Sequence, residues 1–329
     1  MNAHFIRPHR ALAMAVAFSC LHGVGLHAET PGDYPTRPIR IVVSYPPGGG
    51  TDAAARQMAH RIEEGLKATT IVENRPGAGG GLGTLQVARS APDGYTLAVG
   101  GVGTQIAVTT LFPELKLDPM KELTGVALLA SSPHALVVGA ESPFMTTAQL
   151  VAQARARKDG LVYASGGAGS TTHLAVEMFA AAGGLQLNHV PYKGSSPAHT
   201  DVVSGRVDFM MDLLSAVTPL VKAGRLRLLA VTTANRLPQF PDVPTVSEVP
   251  GFAGYEAISW TGLFAPKGTD PRIIRKLSDA LNSRNGESAF RAKVEANGAI
   301  YTPMPAAQFN TFVKSEYDRW HPLAEKSAK

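Results

Sequence analysis

One local pattern recurs along this chain and limits what it can fold into. A short run of strand-forming residues meets a glycine-rich break, and apolar residues at helical spacing follow. IRIVVSY (39–45) has the composition of a buried strand and runs into PPGGGTD (46–52). Beyond it Met58, Ile62 and Leu66 fall four apart, with Ala54 and Ala55 beside them, which predicts an amphipathic helix. Thr51 is read as its N-cap, and Asp52 as a first-turn acid suited to the helix dipole. TTIVENR (69–75) is a predicted strand, closed by PGAGGGLG; a helix to about Ser90 and an APDG turn lead into the strand YTLAVG (95–100). The rhythm returns in LVYASGGAGSTTHLAVEMFAAAG (161–183) and in LNHVPYKGSSPAHTDVVSG (187–205). It returns again in the strands RVDFMMD (206–212) and LRLLAVTT (226–233), on either side of a short helix. Alternation of this kind predicts an α/β fold with parallel sheets flanked by helices.

Two apolar segments are longer than the rest. GVALLASSPHALVVG (125–139) and EAISWTGLFAP (256–266) read as hinge strands passing between two α/β lobes. The first lobe is then 33–130 with 262–329, and the second is 131–261. Near the end, Asp270 caps a helix with Pro271 at its first position and Ile274, Leu277 and Leu281 on one face. Two further helical stretches are expected to run to the C-terminus.

The first 28 residues read as a secretory signal peptide rather than part of the fold. Arg7 and Arg10 form a basic start, an apolar run follows, and Leu26-His27-Ala28 offers a small residue for cleavage. The run is too short and interrupted to span a bilayer, which needs about 20 apolar residues. Cys20 is the only cysteine, so cleavage after Ala28 leaves a mature chain without disulfides. Lipidation at Cys20 is the other possibility, though Ala17-Phe18-Ser19 does not make the usual signal before a lipoprotein cysteine. An exported domain held by its core alone fits a bacterial periplasm. Cleavage also removes two arginines and no acid from a chain of net charge +5. So mild a charge, with no basic clusters interleaved with aromatics, argues against nucleic acid as a partner.

The glycine loops carry the functional reading. The first N–H groups of a helix have no internal acceptors, and with the helix dipole they form an anion site. Glycine lets a ligand reach that backbone. In open α/β sheets such loops stand at the carboxyl ends of strands, where ligands bind. Each expected lobe has one: Gly48-Gly49-Gly50-Thr51-Asp52 in the first, and Ser165 to Thr172, with Ala168, Gly169, Ser170 and Thr171, in the second. Facing each other across a cleft, they suit a carboxylate or a small dianion. His173 in the following first turn, Tyr192 and Lys193 at the end of another strand, and Asp212 at the end of RVDFMMD are further candidate contacts. Each also has a plain structural reading as a packing, solvated or capping residue. Trp260 either packs beneath a ligand or fills the hinge. Asp52 fits an anion site only if it turns away to cap, or pairs with a ligand amine. Enzyme signatures are missing: the sequence has no P-loop, no HExxH and no GxSxG. Ser170 and His173, three apart on one helix start, do not oppose a nucleophile to its base. No cofactor and no metal site is expected.

YPPGGGTDAAAR, ENRPGAGG, APDGYTLAVG, YASGGAGSTTHLA, HVPYKG, LLAVTT, DVPTVSE and WTGLFAPKGT occur here in this order. In this they resemble the tripartite tricarboxylate transporter receptors, the Bug or TctC family, over Tyr34 to about Trp320. The resemblance implies a two-lobed Venus-flytrap periplasmic binding protein, with two open sheets flanked by helices and joined by hinge strands. It implies a solute-binding protein, acting as a monomer, that presents a small carboxylate or amino acid to membrane permease subunits. It also implies that the two loops clamp the carboxylate largely through backbone N–H groups, with Gly103 and Thr104 of Gly101–Thr104 lining the cleft. His199 stands where relatives commonly have a small residue. A second reading keeps the cleft but gives its closure to a periplasmic sensor partner; a third, an enzyme, would need a nucleophile–base pair that the sequence does not offer.

Overall fold

The computed structural model describes residues 33–327 apart from 285 and 297. The signal segment and Cys20 lie outside the described residues. In chain order the described elements are β1 (Ile39–Val43), α1 (Gly50–Leu66), β2 (Thr70–Asn74), α2 (Gly81–Ala88), β3 (Thr96–Gly100), α3 (Val108–Leu111) and α4 (Pro119–Glu122). Next come β4 (Leu123–Gly139), α5 (Thr147–Ala156), β5 (Leu161–Ser165), α6 (Thr171–Gly183), β6 (Leu187–Pro191), α7 (Ser195–Val203), β7 (Phe209–Leu213), α8 (Leu214–Lys222) and β8 (Leu226–Val231). The last are β9 (Ile258–Pro266), α9 (Pro271–Leu281), α10 (Glu287–Glu295), β10 (Ile300–Pro305) and α11 (Ala306–Ser327).

The strands form one curled sheet in the order β2-β1-β3-β9-β4-β7-β5-β6, with β10 and β8 also paired to β4. Among the described strands parallel ladders join β2-β1-β3 and β6-β5-β7, and an isolated parallel bridge links Val231 to Thr245. Between these wings β9, β4, β8 and β10 pair antiparallel. The sheet is therefore mixed, where alternation alone predicted parallel sheets. Its antiparallel middle is built from the two long apolar segments. β4 pairs with β9 from Leu123 to Pro133, then with β7 and β8 from His134 to Gly139. One strand thus serves both halves of the sheet. Return to the first half is fixed just before β9: Ala257 N–H donates to Thr232 O at 3.0 Å, and His134 Nδ1 lies 3.0 Å from Ala257 O.

Helix α1 shows why the pattern folds as it does. Ala55, Met58, Ala59 and Ile62 are buried on one stripe against the sheet, while His60 and Glu64 face solvent. Its N-cap is Gly49, extended at φ −85° and ψ 172°, so Thr51 stands inside the helix and does not cap it. At α9 the expected start holds: the Asp270 side chain accepts from Arg272 N–H at 2.7 Å, with Pro271 at the first position. The two further helical stretches are present as α10 and α11, with β10, which was not expected, between them. α11 covers β4 and β9. Phe309 lies so close to Gly262 that a Cβ there would come within 2.1 Å of its ring. Trp260 Nε1 and Trp320 Nε1 both donate to Glu316 Oε2, at 3.0 and 2.8 Å.

Candidate functional site

Five loops that follow parallel strands, after β1, β3, β5, β6 and β7, border one cavity of about 600 Å³. This is where an open α/β sheet places its ligands. Among the described residues four α-helices begin on its wall, α1 at Gly49, α6 at Ser170, α7 at Gly194 and α8 at Leu213, and so does the π-helical segment Gly103–Ala107. Each helix start offers N–H groups without intrahelical acceptors and a partial positive charge of about one half. Trp260, on β9, and Ser132, on β4, contribute to the wall from the middle of the sheet. The walls draw close at two places. A Cβ on Gly50 would stand 3.0 Å from Leu213 Cδ1, and one on Gly103 would stand 2.7 Å from Tyr45 Oη and 3.5 Å from the Gly169 carbonyl.

Of the residues expected from the sequence, Gly48, Gly49, Gly50, Thr51, Gly103, Ser170, Thr171, Lys193 and Asp212 lie on this wall. Asp52, Thr104, Ser165, Ala168, Gly169, His173 and Tyr192 do not, and most of their polar atoms have other partners. The Asp52 carboxylate turns back onto its own loop. It accepts from Gly48 N–H, Arg56 and Asn74 Nδ2, at 3.0–3.1 Å. Burial alone would raise this carboxyl; the hydrogen bonds from Arg56, Gly48 and Asn74 and the Arg56 charge together hold it below its ordinary value. Asp52 therefore fixes the loop with φ +86° at Gly48 and keeps its charge off the cavity. Thr104 Oγ1 accepts from Gly101 N–H at 3.0 Å, and Tyr192 Oη donates to Asp201 at 2.7 Å.

The second loop is tied to a buried polar cluster. Ser165 Oγ sits 2.6 Å from His189 Nε2 and accepts from Gly167 N–H at 3.1 Å. Gly166 N–H donates to Thr172 Oγ1 at 2.8 Å, and Ser170 caps α6 by accepting from His173 N–H. Gly169 N–H donates to His173 Nδ1 at 3.1 Å, which requires that nitrogen to be unprotonated. The His173 and His189 rings stack at 4.1 Å, and Tyr163 stacks on His189 at 4.9 Å. Burial lowers His173, against a smaller opposing effect from Glu177. Burial and then the His173 charge lower His189 to about 4.

A pH dependence follows. These histidines are neutral in the folded chain, while an unfolded histidine titrates near 6.5. Between about pH 6.5 and 4 the unfolded state binds more protons, so stability is full above this window and falls as pH drops through it. The melting temperature is expected to be flat above the window and to decline within it. His189→Gln is expected to reduce that slope, leaving the part due to His173 and to buried His134, which burial also lowers. An equal slope in both proteins would remove His189 from this account.

Sequence reasoning missed the starts of α7 and α8, and His199, as parts of the cavity wall. The signal for α7 was present: YKGSS is again a strand end, a glycine and a hydroxyl-bearing helix start.

The comparisons with known proteins agree with this geometry. Residues 54–328 match the family described as tripartite tricarboxylate transporter family receptor. The chain belongs to this family. It is 36% identical over 318 residues to protein BugT of Bordetella pertussis, covering 94% of this chain and 95% of that one. Among solved structures, an R. palustris protein with adipate is 35% identical at TM-score 0.84, over 90% of this chain and 98% of its own. MatC from Rhodopseudomonas palustris, with bound malate, is 32% identical at TM-score 0.80, over 89% of this chain and 100% of its own. As a tripartite tricarboxylate transporter receptor, the chain is a solute-binding protein with the α/β fold of periplasmic binding proteins.

Proposed function

We propose that the chain works in the periplasm as a receptor that closes around a small organic carboxylate and passes it to membrane permease subunits. One observation carries this reading: four α-helix starts converge on a single cavity whose wall has almost no charged side chains. Such a site attracts an anion through N–H groups and dipoles rather than through a fixed cation. The adipate and malate seen in related structures support the same class of cargo. The wall positions Gly48–Thr51, Gly103, Ser170, Thr171, Lys193 and Asp212 are the proposed contacts.

The two-lobe division follows the same logic, with 33–130 and 262–329 against 131–261. It is supported by β4, whose pairing partners change at Pro133–His134, and by the Ala257 bonds that precede β9. Closure is then a rotation about 125–139 and 256–266 that brings the α1 and α6 starts together.

A thermal-shift screen tests the reading. The mature protein is unfolded and refolded to strip captured ligand, then heated with dicarboxylates, tricarboxylates, acidic amino acids and aromatic acids. Ligand at 100 times its dissociation constant adds about 2.7 kcal/mol, and a clear rise in melting temperature is expected with one acid class. A panel without any shift would overturn the carboxylate reading.

A further inference from the structure

Three contacts that cross the proposed lobe division outside the hinge segments share one form: each sets a leucine on a glycine. Leu111, the last residue of α3, puts Cδ1 in the space that a Gly169 side chain would fill. Leu214, the first residue of α8, has Cγ 2.7 Å from where a Cβ on Gly298 would lie, in the turn between α10 and β10. Leu213 before it approaches Gly50 in the same way, at 3.0 Å. The seats are reciprocal. Leu111 reaches out of 33–130, whereas Leu213 and Leu214 reach out of 131–261. Gly169 and Gly298 have φ of +75° and +83°, so the backbone there already calls for glycine. Such a turn does not call for a leucine opposite it, and Gly50, inside α1, has no such backbone cause.

A leucine on bare backbone is a contact that a hinge rotation can make and break. It takes methyl groups out of water when the halves meet and returns them when the halves part. No hydrogen bond has to be exchanged in either direction. Leu214 is fully buried and Leu111 partly buried. Neither leucine, nor the glycine beneath it, belongs to the cavity wall. These two seats therefore join the halves without touching cargo.

We infer that the three seats form a latch, which keeps the closed form populated with or without cargo, and that Leu111 is a positioning residue for binding. This rests on the two-lobe closure proposed above. The latch stabilises the free closed form and the bound closed form alike, so apparent affinity follows the closed fraction of the free protein. Cargo leaves only after the halves part. A lost seat therefore speeds dissociation, and it does not slow association, because cargo enters the open form.

The test is a graded series at position 111, with Leu111→Met, Leu111→Val and Leu111→Ala in refolded mature protein. Circular dichroism verifies the fold of each. Small-angle scattering without ligand reads the latch directly. The radius of gyration is expected to rise from the unaltered protein through Leu111→Val to Leu111→Ala, with Leu111→Met, which keeps the reach, close to the unaltered protein. Stopped-flow binding of adipate and malate is the second arm. Leu111→Ala should bind about five- to tenfold more weakly, all of it through faster dissociation. A residue that merely supports its own half would lower the melting temperature and leave both the ligand-free radius and the dissociation rate in place. Equal ligand-free scattering across the series overturns the inference, and so does weaker binding through slower association; either leaves the carboxylate reading standing. If neither acid binds the unaltered protein, the carboxylate reading falls, and the ligand-free scattering alone decides the latch.

Discussion

Gly49→Val is expected to weaken ligand binding by ~100-fold or more, about 2.7 kcal/mol, while leaving the melting temperature of the free protein nearly unchanged. Gly49 has extended backbone angles that any residue adopts, and a Cβ built on it meets only the Pro46 carbonyl, at 4.0 Å. The fold therefore tolerates a side chain there. The cavity does not, because Gly49 caps α1 and an isopropyl group would stand before the N–H groups that follow. Gly48 beside it is a poor substitute for this test. At φ +86° a valine would strain the backbone as well, and lost binding could reflect a lost loop. Calorimetry against whichever acid stabilises the unaltered protein gives the result. Unchanged affinity in Gly49→Val would take the first glycine loop out of the site.

The second large effect concerns stability. Trp260→Ala is expected to cost about 3–5 kcal/mol, the range for deleting a large buried aromatic. Trp260 is 1% exposed and meets Phe309 and Phe312 edge-on, at ring distances of 5.7 and 5.8 Å. Its loss also removes one of the two indole N–H donors to the buried Glu316 carboxylate, leaving Trp320 and, at 3.8 Å, Arg319. Trp260→Phe separates the two contributions. It keeps most of the packing and loses the hydrogen bond to a charged acceptor, for roughly 1.5–3 kcal/mol. Urea unfolding of the three proteins measures both steps; a loss below about 1 kcal/mol for Trp260→Ala would show that the residue fills space between β9 and α11 without supporting the fold.

How much was legible in the sequence depended on whether one local rule decided the outcome. β1, β3 and β5 are short apolar strands ended by glycine loops, and composition alone placed them. The long segment ending in LVVG was legible as a strand between two halves because no turn signal other than Ser131-Ser132-Pro133 interrupts it. β10 was not legible: IYTPMP contains two prolines, which a central strand excludes, and it survives on β4 with a register shift between Tyr301 and Met304. The cap of α1 moved from Thr51 to Gly49 because the backbone turns helical two residues earlier than a hydroxyl cap suggests.

At the site, glycine spacing located the loops but could not say which side chains face inward. Ser165 and His173 look like ligand contacts in sequence, yet they bind His189 and Gly169, partners that only the folded chain brings near. His199 stood out in the sequence but was not read as a cavity residue, for the same reason. Its partner is Asp212, thirteen positions later and on another element.

The pairing of Pro133 with Ile258 has one more consequence. The chain leaves the first half of the sheet and re-enters it through neighbouring positions on adjacent strands, roughly 5 Å apart. Everything between is, in sequence, a single uninterrupted stretch with its two ends side by side. That is the geometry of a module that can be inserted or exchanged as a unit, because joining it asks only that two antiparallel strands meet in register. On the proposed two-lobe division, grafting this stretch alone is expected to carry its share of the cavity wall into a related receptor, with the rest supplied by the host.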